Sequence, residues 1–308
     1  MPAHNKLKIF FMLLAVVTYT VMIVMNAGAG SGAFRGVFHT TVGNISRHYD
    51  TDFTPASWTF FIWNLIFLWQ YAWLGYALSG LCRRNELGWV YMWPDVLPLP
   101  FYLVWMLNNA LNVGWLFLWD NLHFTPALFV LGLLTLTNYA ALFISHWALY
   151  RHRAWFQKHN KADLWLVRIL VQNGIAVYAT WTTIATILNF TVVLIYNGYA
   201  SNETATIVSL CILFFLLIVW FYLENFVFEK YVRYNLIVYP VVILALCGTV
   251  QKNSIDFSPN ASNIITAVLL VVTCIIFSIR IALVTWRHKK ENLDEPWSDI
   301  NTVHLPVS

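Results

Sequence analysis

Eight stretches of the chain are apolar over most of their length, at about 7–26, 55–79, 97–119, 125–150, 164–196, 205–223, 234–250 and 262–286. A helix needs about 20 such residues to cross the hydrocarbon core of a bilayer. The pattern therefore predicts about eight transmembrane helices and an all-α integral membrane protein. The seventh run is short, and the fifth is long enough to begin in the headgroups at Leu164 or Trp165. Thr54-Pro55 and Thr125-Pro126 each set a capping hydroxyl before a proline, a helix-start signal for the second and fourth runs. No repeat, low-complexity tract or soluble domain longer than a loop interrupts the series. Residues 1–308 read as one transmembrane domain, with three spans over 197–290 and a cytosolic tail over 291–308.

Composition agrees. The chain is 59% hydrophobic and 10% charged, against roughly 25% charged for a soluble domain. Sixteen tryptophans suit interfacial belts and aromatic interiors. A net charge of +4 is too small to imply nucleic acid, but its placement orients the chain. With the N-terminus inside, the cytosolic segments hold Lys6, Lys8, Arg83, Arg84, Arg151, Arg153, Lys158, Lys161, Arg168, Lys230, Arg233, Arg287, Lys289 and Lys290. The outer segments hold only Arg35, Arg47 and Lys252. The glycosylation sequons at Asn44, Asn202 and Asn260 fall outside, and a fourth, at Asn189, lies within a span. Both tails are thus expected in the cytosol. The sequons favour the plasma membrane or an endomembrane. A cleaved signal peptide is the alternative for the first run, but Ile9 to Met25 exceeds the usual core of about 7–15 residues. Gly28, Gly32 and Gly36 keep a spacing of four and are read as a flexible loop.

Within the spans, aromatic and polar residues recur at helical spacing. Phe60, Trp63, Phe67 and Gln70 share one face of span two, and Asn108, Asn112, Trp115 and Trp119 share one of span three. In span five Trp181, Ala185 and Asn189 are spaced by four, with Tyr178 and Thr182 beside them. Three segments then carry a likeness. They are Thr54-Pro55-Ala56-Ser57-Trp58-Thr59-Phe60-Phe61-Ile62-Trp63, Leu111-Asn112-Val113-Gly114-Trp115, and Tyr178-Ala179-Thr180-Trp181 running on to Ala185-Thr186-Ile187-Leu188-Asn189.

In these segments the chain resembles the TspO, or tryptophan-rich sensory protein, family over about residues 7–196. The resemblance implies a five-helix core, to which this chain adds three spans. Val177 stands where the family has proline, and the sterol-linked tail of helix five seen in animal members is absent. The resemblance also implies a pocket for a flat apolar molecule, with a porphyrin, sterol or other lipid as ligand for sensing or transport. Trp63, Phe67, Asn112, Trp115, Tyr178, Trp181, Ala185 and Asn189 are the candidate ligand-binding residues. Against this stands a structural role, since membrane asparagines often tie helices together and aromatic stripes often form core.

Other candidates have plainer readings. Trp58, Trp69, Trp73, Tyr76, Trp89, Tyr91 and Trp93 read as interfacial anchors. His146 and His152 lack the spacing and partners of a metal pair, and the cysteines Cys82, Cys211, Cys247 and Cys274 have no metal-ligand spacing. Asp120 and His123 read as a solvated turn, Glu224 and Glu229 as solvated ion pairs, and Arg280 as a snorkelling cation. No catalytic constellation is visible and no bound cofactor is expected. The expected partners are membrane lipids, a small hydrophobic ligand and a second copy of the chain, with no nucleic acid. A small-substrate carrier or channel, or an orphan receptor-like protein, is the competing class.

Overall fold

The computed structural model describes residues 3–254 and 260–294. Its helices are α1 (Lys6–Ser31), α2 (Val42–His48), α3 (Ile62–Ser79), α4 (Leu99–Asp120), α5 (Phe124–His159), α6 (Lys161–Leu166), α7 (Gly174–Tyr196), α8 (Asn202–Tyr222), α9 (Glu229–Val232), α10 (Val238–Asn253) and α11 (Ala261–Asp294). A 3-10 turn, Ser57–Phe61, leads into α3. A π-helical segment, Val167–Asn173, joins α6 to α7 as one rod, and another, Leu223–Val227, extends α8. The only sheet among the described residues is the two-residue hairpin Arg84–Asn85 with Gly88–Trp89.

Each of the eight apolar runs contains a helix. Six of these helices are long and apolar enough to cross a membrane: α1, α4, α5, α6–α7, α8 with its extension, and α11. This makes the chain an integral membrane protein. α3 is diluted by Trp, Tyr and Gln, and α10 has only 16 residues. α1 overruns its expected end and stops at Ser31. Gly28 lies in its last turns, where the Phe34 ring occupies the space of a Cβ, and Gly32 ends it with φ 72°. These glycines close a helix rather than form a flexible loop. Neither threonine caps as expected. Thr54 pairs with Thr51 inside a buried turn, and the Thr125 hydroxyl accepts from Asn197. α11 continues past residue 286 to Asp294, so the first part of the expected tail is helical, and 295–308 lie outside the described residues.

α4 packs against α1 and α5, while α7 touches α3, α5, α8 and α10, and α11 lies on α8 and α10. The π segment before α7 is fixed by its neighbours. Asn173 donates to the carbonyls of Arg168 and Tyr234 and accepts from Leu236 N, which ties the rod to the approach of α10. Gln70 donates to Gly174 O at 2.7 Å, and Trp69 lies over the same glycine. Trp73 and Tyr91, expected at the interface, are instead buried: Gln70 gives the Trp73 indole an internal acceptor, and the Tyr91 hydroxyl accepts from Asn5 N.

The largest departure concerns charge. Arg280 and Glu224 are fully buried and face each other at 3.3 Å, so neither snorkels nor is solvated. Arg280 donates to Asn225 Oδ1 and to the carbonyls of Val232 and Arg233, while Tyr239 donates to Glu224. The turn formed by the π segment and α9 folds back over α11 and supplies those acceptors. Glu229 pairs with Arg233 and lies 3.7 Å from Arg287. Removing one partner of a buried pair costs about 3–5 kcal/mol, while replacing both by apolar groups is often neutral. Arg280→Met should therefore lower the unfolding midpoint in detergent steeply, and Arg280→Met with Glu224→Leu should recover most of the loss.

Candidate functional site

The aromatic and polar faces of α3, α4 and α7 converge at the end of the bundle where α1 finishes. They enclose a cavity of about 1100 Å³. Helical spacing puts Phe60, Trp63 and Phe67 on one wall, Asn112, Trp115 and Trp119 on a second, and Trp181, Ala185 and Asn189 on a third. The tryptophans meet edge to face, with Trp63 and Trp181 at 6.3 Å and 89° and Phe60 and Trp181 at 5.9 Å and 86°. Trp115 and Trp119 stack at 5.5 Å.

Seven of the eight candidate residues, Trp63, Phe67, Asn112, Trp115, Trp181, Ala185 and Asn189, line this one cavity. Tyr178 does not. It is fully buried behind the wall, where its hydroxyl accepts from Asn112 Nδ2 at 2.9 Å. The same Asn112 accepts from Asn26 at 2.7 Å, which brings α1 into the site. Asn189 accepts from the Trp115 indole at 3.3 Å and donates to Ala185 O at 3.0 Å. The two asparagines are thus partly committed within the protein. The unpartnered polar atoms are donors: the buried indole N–H groups of Trp119 and Trp181.

Several lining residues carry no motif signal. Asn26 was visible only as a polar residue late in the first apolar run. Ser46, Arg47 and Asp50 come from α2 and the segment after it, and Gln251 and Lys252 from the end of α10. Lys252 pairs with Asp50 at 2.5 Å and donates to Thr51 O, and Asn253 donates to Asp52 O. At Gly248 a Cβ would collide with Thr59, and only a hydrogen lets Ala56 N reach Gly248 O at 3.1 Å. A helix outside the five-helix core thereby closes one side of the cavity.

Asp120 is buried rather than part of a solvated turn. Its carboxylate accepts from the backbone N–H groups of His39 and Thr40 at 3.0 and 3.2 Å and meets His39 Nδ1 at 2.7 Å. It anchors the segment leading into α2, whose Thr41 caps the helix. Asn44 is exposed and bonded to Thr40 and Arg47, and Asn260 is exposed at the start of α11. Asn202 instead exchanges hydrogen bonds with Asp52 at 2.8 and 3.1 Å. His146 bonds the Tyr231 carbonyl, and no group of metal-binding side chains occurs among the described residues.

The family model for TSPO-like proteins matches residues 12–282. The chain belongs to the TSPO-like protein family. That match runs well past the expected boundary at 196 and takes in α8, α10 and α11 as far as residue 282. No curated protein and no solved structure matches the chain. In this TSPO-like chain Val177 is buried inside an uninterrupted α7, so the family's proline is not needed to form the helix.

Asp120→Ala should release the segment before α2. The backbone amides of His39 and Thr40 would then exchange at least tenfold faster, since each charged hydrogen bond is worth about 1.5–3 kcal/mol. Hydrogen–deuterium exchange on the purified protein reads this directly.

Proposed function

We propose that the chain binds a large, flat, apolar ligand rich in hydrogen-bond acceptors in the cavity among α1, α3, α4 and α7, with a tetrapyrrole as the leading class. The observation that supports this is the lining: seven of the eight candidate residues on one cavity, with two indole N–H groups buried and unpartnered beside it. Rigid rings stack on a flat ligand at low entropy cost, and a few polar groups set its orientation. A tetrapyrrole brings carboxylates or carbonyls to those donors and to Arg47 near the rim. A sterol, with one hydroxyl, satisfies fewer of them. The volume of about 1100 Å³ stands at the upper end of ligand pockets, roughly 300–1,000 Å³.

We read residues 1–308 as one transmembrane domain in which one of the added helices, α10, closes a side of the cavity. Binding serves sensing or carriage, and flux of a bound porphyrin into proteoliposomes separates the two. Trp181→Ala removes an aromatic contact and a donor together, about 2 kcal/mol. Protoporphyrin affinity should fall roughly thirtyfold. Ala185→Phe should abolish binding by filling the cavity while leaving the unfolding midpoint unchanged. In a packed core it would instead cost about 1–3 kcal/mol through overpacking. Affinity unchanged in both variants, with stability lost, would show these residues to be scaffold.

We further propose that the cavity end faces away from the cytosol, because it carries Asn44 and Asn260 while most of the basic residues gather at the other end. In a secretory-pathway membrane, Asn44→Gln should remove a glycan, read as a glycosidase-sensitive mass shift. Asn202→Gln should leave the glycan pattern unchanged, since Asp52 engages that side chain. An unglycosylated Asn44 in such cells would overturn the orientation.

A further inference from the structure

A second cleft lies in the other half of the bundle, bounded by α5, α7, α8 and α10. Its volume is about 660 Å³, within the range of ligand pockets. Its walls are apolar, and two of its residues, Phe143 on α5 and Leu216 on α8, are 66% and 37% exposed on the outer surface. In a membrane protein that surface faces acyl chains, so the cleft opens sideways to the bilayer between α5 and α8.

Three residues of this cleft carry buried polar atoms without a hydrogen-bond partner: the acceptors His146 Nε2 and Asn235 Oδ1, and the donor N–H of the Trp220 indole, which lies beside Glu224. His146 is only 6% exposed, and its Nδ1 lies 3.0 Å from the carbonyl oxygen of Tyr231. A carbonyl only accepts, so in the neutral ring the proton is on Nδ1 and Nε2 holds a bare lone pair. Nε2 is buried and has no partner. Asn235, 3% exposed, lines the same cleft, and its Oδ1 is also unpartnered. A buried acceptor without a donor carries a desolvation penalty that a bound donor would relieve. No carboxylate lines the cleft to hold an ammonium group. The missing partner is thus a neutral donor attached to an apolar body.

We propose that this cleft is a lipid site, separate from the tetrapyrrole cavity, that takes a hydroxyl-bearing neutral amphiphile from the bilayer. The hydroxyl donates its one proton to His146 Nε2, the chain or ring system fills the apolar walls, and a second hydroxyl, where the amphiphile carries one, donates to Asn235 Oδ1.

The test uses the full chain in nanodiscs and a 1-dodecanol carrying a mid-chain diazirine. After irradiation, labelled peptides should map to α5 around Phe143 and α8 around Leu216. 1-Dodecanol should compete at about tenfold lower concentration than 1-methoxydodecane, which has the same chain but no donor. His146→Phe should bring the two competitors to parity, and His146→Gln, which keeps an acceptor, should restore the preference. Should His146→Phe fail to fold, Leu216→Trp, placed at the opening, should abolish labelling in a chain whose buried groups are untouched. Equal competition by alcohol and ether in the parent chain would overturn the proposal. So would labelling confined to other surfaces, or an alcohol preference that survives His146→Phe.

Discussion

A polar group buried among helices in a membrane must find its partner within the protein, and most of this architecture follows from that constraint. Arg280 and Glu224 satisfy it with a folded-back turn, Gln70 with the Trp73 indole and Gly174, and Asn173 with the approach to α10. The Asn26–Asn112–Tyr178 chain satisfies it across three helices. Each contact fixes the rotation of a helix about its own axis, which apolar packing alone leaves loosely determined. The groups left unsatisfied stand out against this background, and several of them line the two cavities.

α7 is the wall between those cavities. Trp181, Ala185 and Asn189 look into one, Ala179, Thr180 and Thr183 into the other, and Ile184 touches both. A single helix with opposite faces of different chemistry explains why so much of it is buried. Its register is held by the π segment at one end, where an added residue per turn brings Asn173 round to the α10 approach. A shift of that register would alter both linings together.

The spans were legible because bilayer thickness imposes a length that apolar runs reveal. The lining of the first cavity was legible because helical periodicity identifies a face and the family motifs identified which faces converge. What periodicity does not carry is the partner opposite a face. Arg280 looks like a charge one or two turns from an end, and nothing in its own helix reveals that Glu224, Asn225 and the carbonyls beyond them come over it. Tyr178 shares the right segment but lies a fraction of a turn behind the wall. Asn26 and Lys252 reach the first site, and Asp120 anchors the segment before α2, through tertiary contacts between segments far apart in sequence. His146, dismissed as half of a poor metal pair, gains interest only once Tyr231 is seen to fix its tautomer.

Ala27 on α1 and Leu68 and Tyr71 on α3 line the first cavity and are also exposed on the outer surface. That cavity therefore communicates with the acyl region between two helices, while Lys252, Asn253 and the turn at Gly248 close one side of its outer end. For a solute arriving by this route the relevant reservoir is the surrounding lipid, in which an apolar molecule is enriched far above its level in water. Occupancy then follows the mole fraction of ligand in the bilayer. Diluting the vesicles in buffer leaves the site filled, whereas adding empty lipid drains it.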